Sequence, residues 1–223
     1  RNGRRAARKA SGQTRGRLRR AVNELDTLVQ RTARVVTQTR TRLAGSTPDS
    51  ATRLVSLHDP DARPIAKGRL GKPVEFGYKA QVVDNVDGII LDHTVEIGNP
   101  ADAPQLAPAI ERIKQLTKKA PRAVTADRGY GEAAVQKDLE DLGVSYVAIP
   151  RKGKPSQARR QVEHRRAFQE KVKWRTGCEG RISHLKRTYG WNRTRLVTIN
   201  GARTWCGQGV FTHNLIKIAT LAA

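Results

Sequence analysis

The strongest constraint in this 223-residue chain is the alternation of hydrophobic periods between residues 76 and 149. Two β-patterned runs, 76–84 and 89–97, are separated by a turn ending in Asp87 and Gly88, which specifies a β-hairpin. After Gly98 the segment NPADAPQ carries a helix-cap signal, Asp102 followed three residues on by Gln105, and Pro104 and Pro108 place a regular helix from about there. Leu106, Ile110, Ile113 and Leu116 give that helix its buried face. Residues 122–127 read as a short buried strand, Val135, Leu139 and Leu142 as the apolar side of a helix stopped at Gly143, and residues 145–149 as a strand ended by Pro150. Strand alternating with helix specifies an α/β fold.

The flanks differ from this center in charge. The formal net charge is +23, yet residues 43–150 hold 13 basic and 15 acidic side chains. Residues 1–42 hold 13 basic and 2 acidic side chains, and residues 151–195 hold 15 and 3, so the basicity sits in two blocks. Such blocks call for a polyanionic partner, and a nucleic-acid enzyme accounts for both the blocks and the acidic, patterned center. Residues 1–20 cannot bury a core and are expected to be a flexible arm, or a helix formed only against nucleic acid. Val22, Leu25, Leu28 or Val29, Val35 or Val36 and Leu43 predict an amphipathic helix over 18–43, ended by Gly45, Ser46 and Pro48. HDPDARPIAKGRLGKP reads as a loop and RKGKPSQARR as a basic loop projecting toward the partner; helices are expected over 162–189 and 202–221. The division expected is a basic arm and helix, 1–45, and a core, 52–223.

No stretch reaches the roughly 18 apolar residues of a membrane span, and the Arg-rich start lacks the apolar core of a secretory signal, so a soluble, intracellular protein is expected. Cys178 and Cys206 have neither CxxC spacing nor histidine companions, which predicts reduced, packed thiols and no zinc site. With Arg1 first and no Met anywhere, the chain reads as truncated at its N-terminus.

Two acids stand out for chemistry. Asp127 ends the strand RAVTAD, where its carboxylate overhangs the C-terminal edge of the sheet. Glu179 falls in a helical stripe with Arg175, Ser183 and Lys186, beside an apolar stripe of Cys178, Ile182, Leu185 and Tyr189. Each has an ordinary alternative: Asp127 as a turn cap, Glu179 as the partner of Arg175 in a surface i,i+4 ion pair. Gly177 and Gly180 suggest that another backbone approaches the helix there. Taken together, a strand-end Asp and a helical Glu in a basic chain are the hard oxygen ligands that a divalent metal facing a phosphodiester requires.

The run TADRGY, followed by WRTGCEGRISHLKRTYG, resembles the catalytic core of DDE transposases of bacterial insertion sequences. The segment from KPVEFGYKAQVVDNVDG through GNPADAPQL looks like the strand pair and first helix of that core, and VFTHNL like its closing helix. The Arg–x3–Glu–x6–Lys spacing is met by Arg175, Glu179 and Lys186, although the Tyr often found three residues before the Arg is Val172. The resemblance implies a ribonuclease H-like mixed sheet flanked by helices and preceded by the basic arm. It further implies metal-dependent cleavage and strand transfer of insertion-sequence ends with Mg²⁺ or Mn²⁺. Asp127 and Glu179 would be the second and third acids and metal ligands, with Arg175, Lys186, Arg159, Arg160, Arg181 and Arg187 on double-stranded DNA. The first acid has no obvious counterpart. Asp59 and Asp61 are the upstream candidates, but loss of its strand ahead of Arg1 is the expectation, leaving an incomplete copy inactive alone. Asp84, Asp87 and Asp92 are expected to be exposed turn residues, and His184 and His213 structural or DNA-facing. A homodimer on DNA and a cytoplasmic, nucleoid-associated location in a bacterium follow from the same resemblance. The competing reading is a non-catalytic basic DNA-binding protein or transposase remnant.

Overall fold

A computed structural model describes residues 2–69 and 71–223, so Arg1 of the arm and Leu70 of the expected loop lie outside the described residues. Two compact units are distinguished, residues 1–78 and 79–223, and the boundary expected at 45–52 falls inside the first.

The first unit opens with α1 (Asn2–Lys9) and α2 (Gly12–Leu43). The stretch expected to be flexible, or helical only on nucleic acid, is helical in this structure: Arg4 pairs with Asp26, and Gly3 lies against Val22. The apolar stripe of α2 covers no core, since the helix buries no residue and Leu25, Val29 and Leu43 are exposed. Polar contacts tie it down instead. Gln38 donates to the Leu54 carbonyl at 2.9 Å and accepts from the Leu54 N–H at 2.8 Å, and Arg31 donates to the Leu57 carbonyl at 2.6 Å.

The segment read as a loop contains a strand, β1 (Arg63–Arg69), antiparallel to the first part of β2 (Lys72–Asp84), with Arg63 opposite Gly77 and Ala66 opposite Val74. Pro64 and Gly68 hide its two-residue period in the sequence, but Ala62 and Ile65 are buried, and the register shift before Arg69 absorbs the irregularity. Asp59 shapes its own turn, accepting from the Tyr78 hydroxyl at 2.6 Å and from the Asp61 N–H at 3.3 Å. Burial, then the hydrogen bond to Asp59, pushes the Tyr78 hydroxyl up.

In the second unit, residues 79–84 of β2 run through a turn into β3 (Ile90–Ile97), as the hairpin pattern requires. The Gly88 N–H donates to the Asn85 carbonyl at 3.0 Å, and Gly88 takes φ +79, a conformation costly for a residue with a Cβ. There follow α3 (Ala103–Thr117), β4 (Ala123–Thr125), α4 (Ala133–Asp141), β5 (Tyr146–Ala148), α5 (Gln157–Glu163), α6 (Arg166–Thr188) and α7 (Thr198–Ala222). β4 and β5 are parallel, Val124 opposite Val147. The fold class is α/β as expected, but the strands form two sheets, β1–β2–β3 and β4–β5. Leu106, Ile110 and Ile113 of α3 meet Val124 of β4, Val135 and Leu139 of α4 and Val147 of β5 in one core. Each such side chain contributes about 1.5–3 kcal/mol by leaving water. A second cluster joins Ile90, Leu185 of α6 and Val210 of α7.

Two local expectations change. The helix expected over 162–189 is two helices broken at His164 and Arg165, and part of the basic loop is α5, capped by Ser156, whose Oγ accepts from the Arg159 N–H at 3.2 Å. α7 pins the hairpin: the Asn214 amide accepts from Ile90 N–H at 2.9 Å and donates to the Ile90 carbonyl at 2.8 Å, while buried His213 bonds the Gly88 carbonyl at 3.0 Å. His213 is therefore structural. Cys178 and Cys206 are free thiols, and burial pushes Cys206 up to about 11. Among the described residues no helix is long and apolar enough to cross a membrane.

Candidate functional site

A cavity of about 610 Å³ in the second unit is lined by residues 79–86, residues 121–127 and one face of α6. On α6 the lining residues are Lys171, Trp174, Arg175, Cys178, Glu179 and Ile182, the three- and four-residue spacing of a single helical face. Asp127 and Glu179 both border this cavity.

Asp127 follows β4 in extended conformation, and its carboxylate caps the turn Arg128–Tyr130 by accepting from the Gly129 N–H at 2.6 Å. The turn is clasped from the far side, because Arg128 donates to the Arg151 carbonyl at 3.0 Å and the Lys152 N–H donates to Gly131 at 2.9 Å. Capping occupies one carboxylate oxygen's lone pair and leaves the side chain exposed, so the turn role and a ligand role are compatible.

Asp102 was read as a helix cap, but it makes no side-chain cap bond. Its carboxylate pairs with Lys79 at 2.7 Å and accepts from Gln81 at 3.2 Å, because Asp102 itself is already helical and these strand residues supply stronger donors. A methyl group built at Gly129 would lie 2.8 Å from Asp127 Oδ1 and 3.7 Å from Asp102 Oδ2, so the two carboxylates are neighbors. Burial, and then the charges of Asp102 and Asp127, push the Tyr130 hydroxyl upward. Lys79, Gln81 and Asp102 are cavity residues that the sequence reading missed. The available signal was the i,i+2 placement of Lys79 and Gln81 on one strand face.

Asp84 is not an exposed turn residue. Its side chain is 6% exposed, paired with Arg181, and it accepts from the Cys178 thiol at 3.4 Å. Asp92 is held by Arg112 through two bonds of 2.9 and 2.7 Å; only Asp87 sits in the turn, bonded to Asn85.

The basic candidates separate into two groups. Lys186, Arg187 and Arg160 are exposed. Arg159 is turned inward, donating to Glu163 at 2.8 Å, Gln136 at 3.0 Å and the Ile149 carbonyl at 2.7 Å, with its guanidinium over Phe168. Burial would raise the Glu163 carboxyl, but donors from Arg151 and Arg159 outweigh it and hold the group below its ordinary value. Arg181, paired with Asp84 and stacked over Trp174, is likewise occupied. Arg175 pairs with Glu179 at 3.4 Å, while its Nε is buried without a hydrogen-bond partner at the cavity wall.

The close backbone expected at Gly177 and Gly180 is absent among the described residues: a Cβ at Gly177 meets only the Arg181 side chain, and at Gly180 nothing within 4 Å. Gly180→Ala should therefore stabilize the fold by up to about 1 kcal/mol through helix propensity alone, read as a raised midpoint in urea.

Carboxylate oxygens at one cavity suit Mg²⁺ or Mn²⁺ in kind, since such ions keep waters and take one or two protein carboxylates plus substrate phosphate. Among the described residues, however, no group of three Asp, Glu, His or Cys is placed to hold a metal by itself. The donors suit the ion in type.

An α/β unit thus places a strand-end Asp and a helical Glu at the border of one cavity. The transposase DDE domain family model matches residues 36–215, and the chain belongs to that family. No curated protein and no solved structure matches it.

Proposed function

We propose that the chain acts on double-stranded DNA as a transposase cleaving and joining insertion-sequence ends, with Asp127 and Glu179 as its metal-holding carboxylates. The observation supporting this is that both acids border one cavity together with Arg175, in a chain of the DDE family. A divalent ion held by these two carboxylates would supply charge stabilization and make a bound water easier to ionize. Asp127, held by the Gly129 N–H, presents a fixed carboxylate, while Glu179 reaches the cavity from the helix opposite. Arg175, with an unused Nε–H at the wall, is placed to donate to a phosphate oxygen. Exposed Lys186, Arg187 and Arg160 grip the backbone. Arg159 and Arg181 support the site through the ion pairs that hold Glu163 and Asp84. In a ribonuclease H-like arrangement the basic N-terminal helices would extend the DNA grip, two copies would bind the paired ends, and the compartment would be that of the bacterial nucleoid.

DNA affinity should fall steeply with salt, and a divalent metal should support cleavage. Asp127→Asn and Glu179→Gln should each lower that cleavage about 100-fold or more, as expected for loss of a charge-stabilizing group, without weakening DNA binding. Mn²⁺ binding, followed by water-proton relaxation, should fall in both variants. Efficient cleavage surviving both substitutions would refute the acid assignment; salt-dependent DNA binding with no Mn²⁺ binding at all would leave the non-catalytic reading.

A further inference from the structure

Asp102 borders the same cavity as Asp127 and Glu179, and the helix that follows it makes no use of its side chain. Its backbone carbonyl already accepts from the Gln105 N–H at 3.0 Å and its own conformation is helical, so the carboxylate is free to turn toward β2. Lys79 and Gln81 stand two residues apart on one face of that strand, and both reach the same oxygen, Oδ1, at 2.7 and 3.2 Å. Lys79 is fixed in turn by the Pro100 carbonyl at 2.6 Å, so its ammonium stays on the Oδ1 side. The other oxygen, Oδ2, faces the turn after β4. It and Asp127 Oδ1 both lie within 4 Å of the point that a Cβ on Gly129 would occupy.

An ammonium held on one oxygen makes the Lys79–Asp102 pair a dipole whose negative end points at Asp127. Two carboxylates at such a range repel each other, and a cation at Asp127 relieves that repulsion. Asp102 does so at one remove, because among the described residues no three of Asp, Glu, His and Cys are placed to hold one ion directly. Magnesium-like ions keep several of their waters, and a carboxylate one layer out accepts hydrogen bonds from those waters. The missing side chain at Gly129 keeps the space between the two carboxylates open: a Cβ there would stand 2.8 Å from Asp127 Oδ1 and 3.7 Å from Asp102 Oδ2.

We propose that Asp102 is a positioning residue for the divalent ion: anchored from behind by Lys79 and Gln81, it accepts from a water of the ion's hydration shell across the gap at Gly129 and so orients the ion on Asp127. The inference rests on the acid-site reading, since the ion is the one held there, and adds a residue that touches neither the ion nor DNA. The anchoring from β2 matters because a carboxylate free to rotate would lose its orientation toward Asp127 or pair with a passing cation from solvent.

The test titrates Mn²⁺ into the full chain and reads, by water-proton relaxation, both the affinity and the number of exchangeable waters on the bound ion. Asp102→Asn keeps an oxygen for Lys79 and Gln81 but loses the charge. It should weaken Mn²⁺ binding about 10- to 100-fold, the range for lost partners of this kind, with the water number and the urea midpoint unchanged. Asp102→Glu returns the charge and should bind more tightly than the Asn variant. Glu140→Gln removes an equal charge from an exposed position of α4 outside the cavity lining and should change nothing. Unchanged affinity in Asp102→Asn, an equal loss in Glu140→Gln, a Glu variant no better than Asn, or a fallen urea midpoint in Asp102→Asn would overturn the positioning role. A gain of one exchangeable water would make Asp102 a direct ligand and overturn it as well. Asp127→Asn and Glu179→Gln in the same titration separate the two readings: loss of binding in these with none in Asp102→Asn overturns this inference alone, whereas no Mn²⁺ binding by the parent chain overturns both.

Discussion

Gly131→Ala should lower stability by about 3 kcal/mol, at the upper end of overpacking costs, and with it the midpoint of thermal unfolding by about 6–12 °C. The reason is a backbone collision. A Cβ at Gly131 would lie 1.9 Å from the Pro150 carbonyl oxygen and 2.8 Å from the Lys152 nitrogen, and neither belongs to a flexible side chain. The same approach is held by the Lys152–Gly131 hydrogen bond at 2.9 Å, so relief by separation sacrifices that bond. Gly129→Ala provides the contrast. Its Cβ would meet the Asp127 carboxylate at 2.8 Å, the end of a side chain that can rotate away. It should cost less than about 1 kcal/mol in stability, the net worth of one hydrogen bond, yet displace Asp127 from its cap. Urea unfolding of both variants, with Mn²⁺ binding as the second readout, separates the effects: Gly131→Ala loses stability first, Gly129→Ala loses metal affinity first. Equal stability losses would show that the clasp between the turn and residues 150–152 is not what positions Asp127.

What could be read in the sequence was local. The hairpin at Gly88, the stop at Gly143 and the buried residues Leu106, Ile110 and Ile113 each rest on turn chemistry or period within about ten residues, and each is in the structure, whereas Leu116, expected on the same buried face, is 71% exposed in the last turn of α3, beyond the core. β1 was hidden because Pro64 and Gly68 break its alternation, although the register with β2 tolerates both. α5 was hidden because its seven residues are polar apart from Ala158 and Val162, too few to show a helical period, and only the Ser156 cap marks it. The cavity acids show a different limit. Asp127 and Glu179 were singled out by type and position, but Asp84 and Asp102 owe their placement to Arg181 and Lys79 respectively, partners that no local pattern reveals. Burial of a charged side chain is decided by where its counterion folds, so Asp84 in a hairpin reads as solvated until Arg181 is brought against it. The inward turn of Arg159 is the same effect in a basic run: three acceptors from different elements converge on one guanidinium that composition alone assigns to DNA.

Two adjacent residues of α6 should separate folding from DNA binding. Leu185 is 0% exposed and packs with Ile90 and Val210, so it fixes α6, which carries Glu179, against the hairpin and α7. Leu185→Ala removes that contact and leaves a cavity, at a cost of about 2–5 kcal/mol. Lys186, one residue on and so rotated by about 100°, is exposed. Lys186→Ala should leave stability within about 0.5 kcal/mol and lower the slope of log affinity against log salt by about 0.9, the signature of one lost phosphate contact. Thermal unfolding and a salt series of DNA titrations measure both. Leu185→Ala, assayed below its lowered midpoint, should keep the parent salt slope, because the exposed charges are unchanged while the helix stays folded. If Lys186→Ala instead shifted the midpoint and left the slope intact, the outward face of α6 would be a packing surface, and the DNA path would have to be sought along the other exposed arginines.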